Sequence, residues 1–101
     1  MTKEMKSLAA ATNGNIAVLQ QTMTNVDFQD AAGCTALMYA SMGGHLESVA
    51  HIVACEPDVE LKTESGTTAL IYAARMGHLD MVKYLIERAK ANVYAKNIRG
   101  E

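Results

Sequence analysis

The sequence predicts an all-α fold, a stack of helix-turn-helix pairs that winds into a short solenoid, each pair introduced by a tight turn. Three observations predict it. The chain repeats itself at an offset of 33, with ten of 27 positions identical between residues 30–56 and residues 63–89. Each copy carries two short helical patterns parted by a glycine at the same place, Gly44 and Gly77. With no Trp, one Phe and one Pro in 101 residues, the core must be aliphatic and rich in Ala and Met, which suits thin, closely packed helices. One such pair cannot bury its own apolar stripe, so neighbours must stack to cover it.

The elements follow in order. A degenerate first copy runs from Leu8-Ala9-Ala10-Ala11 through Asn13-Gly14-Asn15 to Val18-Leu19 and is assigned to an N-terminal cap at 1–29. Its stretch from Gly14 to Val26 is three residues shorter than the stretch from Gly44 to Val59, which predicts a shortened second helix. Full copies are assigned to 30–62 and 63–96, and residues 97–101 begin a further one. Asp30-Ala31-Ala32-Gly33, Thr63-Glu64-Ser65-Gly66 and Asn97-Ile98-Arg99-Gly100 each place a hydrogen-bonding side chain first and glycine fourth, which is type I turn chemistry. Thr35 and Thr68 then stand where a hydroxyl can cap a helix, predicted at 35–42 and 68–75. After the glycine corner, second helices are predicted at 46–55 and 79–88. Leu46, Val49, Ile52 and Val53, and again Leu79, Val82, Leu85 and Ile86, form their apolar stripe. Glu47, Lys83 and Glu87 take the polar side, and Pro57 closes the first of these helices.

Together these marks resemble the ankyrin repeat. The family's Thr-Pro-Leu-His-x-Ala signature stands here as Thr35-Ala36-Leu37-Met38-Tyr39-Ala40 and Thr68-Ala69-Leu70-Ile71-Tyr72-Ala73. The Gly-His-Leu corner and the paired aliphatics Ile52-Val53 and Leu85-Ile86 match as well, and the resemblance covers residues 5–101. There are departures: Ala replaces the family's Pro, Met38 and Ile71 replace its His, and one extra residue lies between Ile86 and Val93. The resemblance implies an ankyrin-repeat solenoid with hairpin fingers that acts without chemistry of its own. Such arrays present their finger tips and the concave face of the first helices to a protein partner.

Carried onto this sequence, the implied contact positions are Ala31, Ala32, Cys34, Met42 and Gly43 in one copy. In the next they are Glu64, Ser65, Thr67, Arg75 and Met76, with Ile98 and Arg99 opening the following tip. The two copies diverge at these positions, as Cys34/Thr67, Met42/Arg75 and Gly43/Met76 show. Methionine adapts to varied surfaces and arginine gives a directional cationic edge, so the expected partner is apolar with an acidic flank. A second class of function would make the chain the N-terminal regulatory or targeting region of a larger enzyme, such as a protein kinase. The last helix pair has no further copy to cover it, and that predicts self-association through the C-terminal end.

Composition sets the remaining bounds. Net charge is −2, which argues against general nucleic-acid affinity. The charge is polarised, net −5 over residues 1–60 and +3 over 61–101. The longest apolar run is six residues, Ala69 to Ala74, too short for a membrane span of about 20 residues. No early apolar run is long enough for a secretory leader. Two cysteines 21 positions apart favour a reducing, cytoplasmic setting. The candidates for chemistry are His45, His51, His78, Cys34 and Cys55, and none falls in a metal-ligand or nucleophile spacing. His45 and His78 share a repeat position just after the corner glycine, so a structural role is expected for both, and His51 on the second helix is expected to face solvent. No enzymatic activity, cofactor or metal is expected.

Overall fold

The computed structural model describes residues 2–92. Six helices follow one another in three pairs: α1 Lys3–Asn13 with α2 Ile16–Thr22, α3 Ala36–Gly43 with α4 Leu46–Ala54, and α5 Ala69–Arg75 with α6 Leu79–Glu87. Among the described residues there is no strand.

Capping hydroxyls set where the helices begin. Thr35 Oγ1 accepts the Met38 amide at 3.3 Å, Thr68 Oγ1 the Ile71 amide at 3.3 Å, and Thr2 Oγ1 the Met5 amide at 3.1 Å. In α3 the cap is reciprocal, because the Thr35 amide reaches Met38 Sδ at 3.4 Å. A thioether thus takes the place usually held by Glu or Gln in a capping box. Ahead of the caps, the Gly33 amide donates to the Asp30 carbonyl and the Gly66 amide to the Thr63 carbonyl, each at 2.9 Å. Those bonds close the two turns.

The first helices α1, α3 and α5 form one row and the second helices the other, with the first row in the closer contact. Ala11, Ala40 and Ala73 lie fully buried in that row. Their single methyl groups let the helices approach. Leu19, Val49, Ile52 and Leu85 fill the layer between the rows.

Neighbouring pairs are locked at the corners. His45 Nε2 donates to the Thr12 carbonyl at 3.0 Å and His78 Nε2 to the Met42 carbonyl at 2.9 Å. Each ring lies over the corner glycine of the pair before it. A methyl group on Gly14 would stand 2.7 Å from His45 Nδ1, and one on Gly44 would stand 2.9 Å from His78 Cε1. Both glycines are left-handed, at φ 70° and 71°. In α2 the matching position is Asn15, which has no described pair before it, and its side chain caps its own helix through the Val18 amide at 3.2 Å. The loops are strapped in the same sense. The Asp58 amide donates to Asp27 Oδ1 at 2.9 Å, and the Asn92 amide to Glu60 Oε2 at 2.7 Å.

Three details depart from the sequence reading. Leu46 and Leu79 leave the predicted stripe and are 40% and 76% exposed, while Met81, outside it, is buried. As first residues of their helices they lean toward the N-terminal corner and away from the stack. His51, expected to face solvent, is half-buried. Helix α4 stops at Ala54, and Glu56 adopts φ 56° immediately before Pro57.

Candidate functional site

The fingers stand side by side because their backbones are joined. The Glu64 amide donates to the Ala32 carbonyl at 3.1 Å, and Gln29 Nε2 donates to the Gly33 carbonyl at 2.9 Å and the Lys62 carbonyl at 3.0 Å. Ala31, Ala32 and Glu64 are exposed at the tips. At the other end of the first-helix row, Gly43, Arg75 and Met76 are exposed and Met42 is half-buried. Met76 keeps half of its surface open (50%). The Arg75 guanidinium lies 5.8 Å from the centre of the Tyr72 ring, within cation-π range.

Between tip and helix end runs a polar network that holds the finger in place. Asp30 Oδ1 accepts the Ala32 amide at 3.0 Å and the Cys34 amide at 2.9 Å, and Tyr39 Oη donates a short hydrogen bond to Asp30 Oδ2. Burial pushes the Asp30 carboxyl upward, but the Tyr39 hydroxyl and the amides of Cys34, Ala32 and Gly33 outweigh it and hold the group below its ordinary value. Tyr39 is correspondingly raised, first by its bond to Asp30 and then by burial. In the next finger Thr63 replaces Asp30, and a chain of hydroxyls links Thr63, Ser65 and Thr67 at 3.0 Å per step. Tyr72 meets Cys34 Sγ at 3.8 Å, and burial followed by that contact raises the phenol.

Two implied contact positions therefore need correction. Cys34 is 6% exposed and Thr67 1%, so neither offers its side chain to a partner. Each follows the turn glycine, where the chain has already turned inward, and each side chain is spent inside the network. Ser65 is half-buried and hydrogen-bonded on both sides. Arg99 and Ile98 lie outside the described residues. What the repeat comparison missed is the stack of Arg75 on Tyr72. A cation three residues after an aromatic on one helix would have signalled it.

His45 and His78 are occupied by the fold, through the carbonyls they bond. Both cysteines are free thiols, Cys34 buried and Cys55 exposed. Among the described residues no three His, Cys, Asp or Glu side chains gather as a metal site would need. No helix among them is long and apolar enough to cross a membrane.

A stack of three successive helix pairs, two of them carrying variable residues on the same frame, defines a repeat protein. The family model for ankyrin repeats (3 copies) matches residues 7–97, and the chain belongs to the ankyrin repeat family. It is also similar to ankyrin repeat domain-containing protein 29 of Danio rerio, 44% identical over 56 residues. That match covers 52% of this chain and 19% of the relative. Ankyrin repeats are generally protein-interaction modules and typically non-catalytic.

Proposed function

We propose that this chain binds a protein partner through the finger tips at Ala31, Ala32 and Glu64 together with the helix ends at Met42, Gly43, Arg75 and Met76. Ile98 and Arg99 extend the same row in the sequence register. The observation that carries the reading is the pairing at the end of α5, where the half-open Met76 adjoins the Arg75 guanidinium held over Tyr72. An adaptable apolar side chain beside a cation suits an apolar partner segment flanked by a carboxylate. The frame beneath is already ordered by the Asp30 and Gln29 hydrogen bonds, so little ordering entropy is lost on binding.

The test starts from a partner captured on the chain and identified by mass spectrometry, with affinities then measured by titration calorimetry. Arg75→Ala and Met76→Ala should each weaken binding by about 1–2 kcal/mol, the range for anchors near the centre of an interface. Lys83→Ala, on the exposed side of α6, should leave affinity within about 0.5 kcal/mol, as surface changes away from a contact do. Equal loss in Lys83→Ala would move the interface to the second-helix side.

A further inference from the structure

The backbones of the two fingers approach closely at Gly33, which holds φ of 87°. A methyl group there would stand 2.9 Å from Thr63 Cα and 3.2 Å from the Glu64 amide nitrogen. Few bonds span this approach. The Glu64 amide reaches the Ala32 carbonyl at 3.1 Å, and Tyr72 Oη meets Cys34 Sγ at 3.8 Å, a weak tie. Gln29 adds another from outside the backbone. Its side-chain nitrogen donates to the Gly33 carbonyl at 2.9 Å, in its own finger, and to the Lys62 carbonyl at 3.0 Å, at the foot of the next. Both N–H groups of one primary amide are thus used, one on each side of the approach. The repeat itself does not call for an amide at this place. The equivalent position 33 residues on is Lys62, and both residues are exposed.

We infer that Gln29 is a positioning residue whose amide sets the spacing between the finger tip at Ala31 and Ala32 and the tip at Glu64. Its use in recognition rests on the proposed binding at those tips; the clamp itself does not. Fixing a glutamine costs side-chain entropy comparable to what two exposed hydrogen bonds return, so the clamp adds little to stability. What it does is select one spacing. Ala31 and Ala32 have no side chain that could adjust to a partner, so the relief of that tip is set by where its backbone lies. With the amide in place, a segment that bridges Ala32 and Glu64 meets one fixed separation. Without it the tips are joined by the Ala32–Glu64 bond and the Cys34–Tyr72 contact, and the fingers can splay at Gly33. A fixed separation before contact is what preorganises a site.

The experiment measures exchange of individual backbone amides with water by NMR in the 101-residue chain and in two variants. Gln29→Ala removes the side chain. Gln29→Glu keeps its shape but has no donor for the two carbonyls. In both, exchange at the Glu64 amide, which spans the fingers, should rise about fivefold or more. The Gly33 and Gly66 amides close turns within single fingers, and the His78 amide bonds within its own corner. Exchange at these three should stay within about twofold, and Tm should move by less than about 3 °C. Unchanged exchange at Glu64 in either variant would overturn the inference. So would a rise of equal size at Gly33, Gly66 and His78, because the glutamine would then support the fold at large rather than the spacing of the tips. The measurement needs no partner, so a partner found to bind away from the tips would sink the proposed function and leave these rates as they are.

Discussion

Adding one methyl group at Gly44 and one at Gly77 separates backbone strain from packing at the corners. Both positions are left-handed, at φ 71° and 75°. An L-residue there costs about 1–2 kcal/mol in the folded state, partly offset by the lower entropy of the unfolded chain, so about 1 kcal/mol is expected at each site. At Gly77 nothing further is added. At Gly44 the methyl would lie 2.9 Å from Cε1, 3.0 Å from Nδ1 and 3.2 Å from Nε2 of His78, closer than carbon contacts tolerate. The ring must move, and moving it breaks its 2.9 Å bond to the Met42 carbonyl. Overpacking of this kind costs about 1–3 kcal/mol, and the lost hydrogen bond about 1 kcal/mol more. Gly44→Ala should therefore destabilise by about 3–5 kcal/mol against about 1 for Gly77→Ala. Urea denaturation followed by circular dichroism measures both, provided the slope with denaturant is unchanged. The double variant Gly44→Ala/His78→Ala isolates the ring, since Gly44→Ala should cost only about 1 kcal/mol once His78 is truncated. Equal costs at the two glycines, or strict additivity in the double variant, would refute the lock at the corner.

Other outcomes follow from the same geometry. Ser41 and Ser48 bury hydroxyls with no hydrogen-bond partner among the described residues, so Ser41→Ala and Ser48→Ala should each raise stability by up to about 1 kcal/mol in urea. Ala74 already fills the place equivalent to Ser41, and a fall in stability would show the hydroxyls to be satisfied. Glu56 and Lys90 hold φ of 56° and 60°; replacing either with Gly should add about 0.5–1 kcal/mol, read as a higher denaturation midpoint. The Asp30 carboxyl, held below its ordinary 3.8, contributes stability that is present above that value and lost as pH falls through its folded pKa. Tyr39, raised above its ordinary 10.0, contributes stability present below pH 10 and lost above it. Asp30→Asn should flatten the acid limb of a stability–pH curve, and Tyr39→Phe the alkaline limb. An acid limb as steep as before in Asp30→Asn would place the linkage in another carboxylate.

Sequence alone determined the helix pairs and their order. The repeat at 33 residues, the capping threonines and the corner glycines are local signals, each acting within a few residues of itself, and the observed helices end within one or two residues of those expected. The implied contact positions were legible only as a register. Cys34 and Thr67 occupy that register yet are buried, because which way a side chain points after a turn depends on the neighbouring finger. Tertiary structure also decided the fate of the corner residues. His45 and His78 bond carbonyls 33 and 36 positions away, and periodicity gave them a place but no partner. Leu46 and Leu79 show the same limit. Both match the apolar helical spacing of the core, but the stack covers Met81 and leaves the two leucines open, since burial belongs to whichever pair packs alongside.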